Sequence, residues 1–160
     1  MSITVEDYTL SEAIHTASTE LLILPWHTSQ ENKVHGKAVY PESASTIVKL
    51  LRENSIRVEL AEGCISDVIL EDRRSIEWLG PIIFFSMDAI HQNPVIVSVT
   101  LNIISNYLSN VLFGDRVSQT EPTAKLEVVI QDKRCTKKIE YNGPVSGLTE
   151  IEKIIEAIKK

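Results

Sequence analysis

The longest segment of the chain without Asp, Glu, Lys or Arg runs from Ala89 to Gly114. Asn93 followed by Pro94 is typical of a helix start and Gly114 of a helix end, so the pattern predicts a helix over about 94–113. Most of its positions are Val, Ile or Leu. The polar positions that fall on one side are Ser98, Asn102, Ser105, Asn106 and Ser109. Such a helix needs cover over most of its circumference, either inside the core or partly from another chain, because buried polar groups need partners.

Upstream of this helix, shorter patterns predict a βαβ unit. Residues 20–25 form an apolar run that stops at a proline, which is typical of a buried strand. Apolar residues then recur at helical spacing over about 42–54, and residues 56–60 alternate like a strand with one covered face. Together these segments predict parallel strands joined by a right-handed crossover. Residues 81–86 predict another buried strand, whereas residues 65–79 stay open between strand and helix.

The last third of the chain predicts a β-hairpin followed by an amphipathic helix. Residues 126–130 and 137–141 are the two strands, and Thr149 with Glu152 three positions later forms a capping box before an Ile-rich stripe. The whole pattern predicts a single α+β domain over residues 1–160. We expect a small, mostly parallel sheet with a βαβ unit, one long neutral apolar helix, and the C-terminal hairpin and helix.

The charges are unevenly distributed along an acidic chain. The 160 residues include 22 acidic and 16 basic side chains, a formal net charge of −6, which argues against a broad nucleic-acid surface. Residues 1–32 contain no Lys or Arg, while a basic cluster falls in residues 133–138. The two regions are either complementary patches for self-association or a partner, or simply solvated faces. Lysines in such a hairpin also protect edge strands from aggregation.

Two cysteines, Cys64 and Cys135, do not make a disulfide framework, and the acidic start of the chain lacks the features of a signal peptide. We therefore expect a cytoplasmic protein with free thiols. Nucleotide-binding, nucleophile-elbow and zinc-protease motifs are all missing from the sequence. We accordingly expect no cofactor and no metal.

Two segments outside the neutral helix carry candidate chemistry. In the charged run before residue 79, Arg73, Arg74 and Trp78 are suited to holding a partner protein, since arginine and tryptophan are frequent anchors of interfaces. The polar segment 26–40 holds His27 and His35, and a long loop of this kind is often functional.

The order of elements at the C-terminus is similar to that of a known class of bacterial proteins. After the neutral helix come the hairpin KLEVVIQDKRCTKKIEY, then Gly143-Pro144, then the Ile-rich helix. This layout resembles small effector-associated components encoded beside the effectors of bacterial conflict systems, over about the last third of the chain. The resemblance implies a non-enzymatic adaptor or regulatory role.

The sequence thus favours a non-enzymatic, cytoplasmic protein-interaction module or regulatory subunit, and the resemblance implies that it is part of a bacterial defence or conflict system. Its partner is another protein or a second copy of the chain, not nucleic acid, and a membrane is disfavoured. Two alternatives stay open: a small enzyme with its site in the 26–40 loop, and a membrane-active effector acting through residues 79–113. The predicted partner-binding residues are Arg73, Arg74, Trp78, Ser98, Asn102, Ser105 and Ser109.

Overall fold

A computed structural model gives the arrangement of residues 2–7, 21–25, 39–61, 69–71, 78–113, 123–131 and 136–159. The strands in these ranges are β1 (Ser2–Asp7), β2 (Leu21–Leu24), β3 (Val39–Pro41), β4 (Val58–Leu60), β5 (Ile69–Glu71), β6 (Trp78–Ser86), β7 (Thr123–Gln131) and β8 (Thr136–Pro144). The helices are α1 (Ser43–Glu53), α2 (Met87–Gln92), α3 (Ile96–Phe113) and α4 (Glu150–Lys159), with a 3-10 turn at Val145–Gly147.

Six strands form one mixed sheet in the order β1-β8-β7-β6-β2-β4, and β3 pairs with β5 separately. The expected parallel strands of the βαβ unit are confirmed, since Leu21 of β2 lies opposite Val58 of β4 in a parallel pair. The predicted hairpin is confirmed as the antiparallel pair β7 and β8. Of the open segment 65–79, residues 69–71 form strand β5 and residues 78–79 begin β6.

The expectation of a mostly parallel sheet is wrong. The pairs β2–β4 and β6–β7 are parallel, but β1–β8, β7–β8 and β2–β6 are antiparallel. The expectation rested on continuous apolar runs, and these report that both faces of a strand are buried. They do not fix its direction, as the antiparallel pairing of the two apolar strands β2 and β6 shows.

The helices α1, α3 and α4 pack on one face of the sheet, called here the helix face. Sheet side chains in this core include Ile23, Ile83 and Val128, all fully buried. The opposite face, called here the far face, has its own buried apolar cluster. Its members are Leu22, Leu24, Ile82, Phe84 and Val129. Burying a side chain of this size contributes roughly 1.5–3 kcal/mol, so both clusters stabilise the centre of the sheet.

The helices begin and end within a few residues of the positions that local sequence signals predict. The helix expected at 42–54 is α1. Two residues after its end, Ser55 lies in the left-handed region at φ 64°. The neutral helix starts at Ile96 rather than at residue 94, because Asn93 ends the separate helix α2 and accepts a hydrogen bond from the Ile96 amide at 3.1 Å. Ser86 caps α2 by accepting from the Ala89 amide at 3.1 Å.

Strand β6 continues through Gly80-Pro81, a pair that typically marks a turn. The pairing with β7 shifts its register between Leu79 and Ile82, as expected where a proline has no amide hydrogen to donate. The Gly-Pro pair therefore marks an irregularity inside a strand, and the residues on both sides of it stay in the sheet.

Candidate interaction surface on helix α3

Helix α3 has one buried row and one exposed row. Toward the core it buries Val97, Leu101, Ile104 and Leu108, which recur at intervals of three and four residues. On the opposite side the exposed positions with described side chains form the surface named here the α3 outer face. Its members are Asn102, Asn106, Ser109 and Asn110. None of them carries a charge, and the other positions of α3 with described side chains are buried or half-buried, so the helix is covered over most of its circumference and open along this one face.

The predicted polar stripe runs along one flank of this outer face. Asn102 and Ser109 are exposed, whereas Ser98 and Ser105 are half-buried. Two of the hydroxyls bond within their own helix region: Ser98 Oγ donates to the Val95 carbonyl at 3.1 Å, and Ser109 Oγ to the Ser105 carbonyl at 2.9 Å. The exposed amide of Asn102 is therefore the most available polar group of the stripe.

Three further predicted contact residues come from the charged run. Arg73 and Arg74 lie outside the described residues. Trp78 opens strand β6, where its backbone pairs with Ala124 of β7, and its side chain is also outside the description. The structure therefore gives side-chain surroundings only for the four stripe residues on α3.

Sequence reasoning missed part of the outer face. The predicted contacts do not include Asn106 or Asn110. Both continue the i, i+4 spacing that begins at Asn102, so the signal was present in the helical period. Beside this face, Val95 at the start of the helix is 58% exposed, which adds an apolar contact point.

The structure describes only the end of the 26–40 loop, whereas it describes all of residues 79–113. Residues 26–38 of the polar loop lie outside the described residues, and Val39 and Tyr40 are buried in β3. Among the described helices none is long and apolar enough to span a membrane, and residues 79–113 fold as most of β6, then α2 and α3. His91, which lies between apolar segments of the sequence, is exposed on α2.

The acidic and basic regions of the sequence are complementary within the fold. Strand β1 pairs with β8, where Lys138 Nζ lies 2.7 Å from Glu6 Oε1 and Lys137 Nζ lies 3.7 Å from Asp7 Oδ1. Lys137 and Lys138 therefore lie on a strand between β7 and β1, so the expected role of edge protection is wrong for these two, while Lys133 and Arg134 lie outside the described residues. The edge strand on this side of the sheet is β1, which has no lysine.

On the far face, Lys138 belongs to a wider network of ion pairs. Lys138 also lies 4.0 Å from Glu140, which is 3.1 Å from Lys125. The hydrogen bond with Glu6 raises the pKa of Lys138 above its ordinary value. Partial burial acts against this rise, and the negative charges of Glu127, Glu6 and Glu140 add to it. The lysine is thus held in its charged form, which suits a structural cation and not a nucleophile.

Comparison with known proteins adds no further assignment. No family model, curated protein or solved structure matches the chain. Within the described residues there is also no group of three or more His, Cys, Asp or Glu side chains placed to hold a metal ion. The candidate surface is therefore defined by its own chemistry.

Proposed function

We propose that the chain is a non-enzymatic protein-interaction module or regulatory subunit, and that the α3 outer face contacts its partner. The observation that carries the proposal is an exposed helix face without charge on a chain with 38 charged side chains, 22 acidic and 16 basic. Depletion of charge distinguishes the buried centre of a protein interface from the rest of a surface.

The chemistry of the face restricts the partner. The exposed amides of Asn102, Asn106 and Asn110 each offer donors and an acceptor, and the face has no ion to neutralise an opposing charge. A charged partner group would be desolvated there without compensation, which is costly. The partner is therefore a protein with an uncharged, hydrogen-bonding contact surface.

The layout of the C-terminal third extends the proposal to a subunit of a bacterial defence or conflict system. That layout is the basis of this step, because the resemblance implies an adaptor or regulator that acts beside an effector. A partner of this kind would supply the chemistry for which the chain has no recognised motif.

The proposal is tested by adding charge to the face without changing its shape. The double variant Asn102→Asp and Asn106→Asp keeps the side-chain size and adds two negative charges. Because these charges would be buried in the interface without a compensating cation, we expect them to weaken binding of the partner. In a quantitative pull-down of the tagged full chain from its host, recovery of a stoichiometric partner falls about tenfold or more.

The matched control is Lys49→Glu, which makes the same change in net charge at an exposed position of α1. It leaves the partner bound as in the wild-type chain. Equal recovery of the partner by the control and by the double variant contradicts a role of the α3 outer face. The milder pair Asn102→Ala and Ser105→Ala separates an internal stripe, which leaves association intact, from a contacting one.

A further inference from the structure

Strand β1 ends the six-stranded sheet, and its outer edge has no strand partner in the described part of the chain. All six residues pair with β8 in one continuous register, from Ser2 opposite Asn142 to Asp7 opposite Lys137. The strand is therefore a regular edge whose outward backbone groups have no strand partner among the described residues, and such an edge is a template for another strand.

The devices that usually block such an edge are missing from β1. It contains no proline, no lysine and no register shift, and it is six residues long. Its two charged residues, Glu6 and Asp7, form ion pairs with Lys138 and Lys137 of the neighbouring strand β8. Each carboxylate thus has a cation beside it within the chain, at a side-chain exposure of 53% for Glu6 and 88% for Asp7.

The two faces of β1 have different characters. Ile3 lies opposite the buried Tyr141 and Val5 opposite the buried Ile139, so both belong to the helix face. Val5 is nonetheless 43% exposed, since β1 is the last strand and nothing described extends the core past it. A further strand added at this edge would cover the apolar side chain.

We propose that β1 pairs antiparallel with β1 of a second copy of the chain, with the two-fold axis at Thr4. A continuous sheet that keeps the helix faces of both copies on one side must place residues of the same face opposite each other. Only registers centred on a residue meet this condition. Centring on Thr4 puts Ile3 opposite Val5 of the other copy.

The neighbouring register, centred on Val5, is less favourable. It places Ile3 opposite Asp7 and Thr4 opposite Glu6 of the other copy, so it sets an apolar side chain against a carboxylate. The register centred on Thr4 gives two apolar cross-strand pairs, and such pairs stabilise antiparallel strands. The occupant is thus argued from the self-complementarity of the strand.

The proposed contact is small, so association depends on concentration. We expect the wild-type full chain to pass from monomer to dimer between about 1 μM and about 1 mM in light scattering, the range of a weak interface. Thr4→Lys and Thr4→Glu each place like charges opposite each other at the axis, which disfavours pairing. Each variant alone has a dissociation constant raised about tenfold or more.

An equimolar mixture of the two variants then tests the register, because a lysine faces a glutamate at the axis. The mixture recovers dimers, while the exposed substitution Ala157→Lys on α4 leaves the wild-type behaviour unchanged. Circular dichroism verifies that each variant is folded. A wild-type chain that stays monomeric, single variants that dimerise normally, or a mixture that fails to dimerise overturns the inference.

This contact is independent of the proposed partner surface. The charged variant of the α3 outer face keeps its dimer if β1 is the contact, whatever its effect on partner recovery. Loss of the dimer in that variant would transfer self-association to α3 and overturn the inference for β1.

Discussion

The two ends of the six-stranded sheet are stabilised in different ways. Strands β2 and β6 are apolar on both faces, and all four residues of β2 are buried. Strands β8 and β1 are apolar on the helix face only, and their far face carries Glu140, Lys138 and Glu6 in ion pairs. Strand β7 is the boundary, with Val129 in the far-face apolar cluster and Lys125 paired to Glu140.

This difference indicates where the stability of the fold resides. Apolar side chains buried on both faces of the sheet each add roughly 1.5–3 kcal/mol to the free energy of unfolding. Partly exposed ion pairs add only about 0–1 kcal/mol each. We therefore expect the apolar side of the sheet to determine global stability. The charged side sets the position of the edge strand.

The largest expected effect comes from truncating the far-face apolar cluster. Ile82→Ala removes a side chain that is 7% exposed, and the resulting cavity lowers the free energy of unfolding by about 2–4 kcal/mol in urea denaturation. The same substitution at the half-buried Ile3 of β1 costs about 1 kcal/mol. Equal losses at the two sites would remove the distinction between the two sides of the sheet.

A smaller effect, with a distinctive pH dependence, is expected from the charged side. Lys138→Met keeps an unbranched apolar side chain but leaves Glu6, Glu127 and Glu140 without this cation, and it lowers the free energy of unfolding by about 1 kcal/mol at neutral pH. The side chain of Lys138 is 17% exposed, so solvent screens the pair only partly.

The sign of the pH dependence follows from the raised pKa of Lys138. The stability that it contributes is present in full below its ordinary pKa of 10.5 and is lost as the pH rises through the higher pKa of the folded chain. The wild type therefore loses more stability above pH 10.5 than Lys138→Met does. Lys49→Met, at an exposed position on α1, is the control. Parallel pH profiles for the wild type and Lys138→Met would contradict a structural role of the network.

Much of this arrangement was predictable from periods in the sequence. The continuous runs LLIL and IIFF predict strands buried on both faces, and both are confirmed in β2 and β6. The hairpin and the Ile-rich stripe of α4 follow from alternation and from helical spacing, which depend on neighbours close in sequence. The direction of β2 against β6 was not predictable in this way, because it depends on how distant segments pair.

The candidate surface was predictable only in part for a related reason. The neutral stripe on α3 is visible in the sequence, but which of its sides is exposed depends on where the sheet lies. The pairing of β1 with β8 joins residues that are more than a hundred positions apart. Composition shows an acidic and a basic region and leaves open whether they pair or are simply solvated, and only the fold shows that Glu6 meets Lys138 within one chain.

The smallest expected effect is at the opposite edge, strand β4, and it tests why that edge differs from β1. Strand β4 has three residues, and the Arg52 guanidinium donates to the Val58 carbonyl from Nε at 3.3 Å and from Nη2 at 3.1 Å. Arg52→Met removes both donors, lowers the free energy of unfolding by about 0.5–1 kcal/mol and speeds amide hydrogen exchange in β4.

The exposed Arg57 provides the matched control, since Arg57→Met removes a guanidinium with no described bond to this carbonyl. Unchanged exchange in Arg52→Met would show that the shortness of β4 alone protects this edge. Faster exchange together with new self-association would show that the arginine closes an edge, and that β1 stays open because no side chain performs this task there.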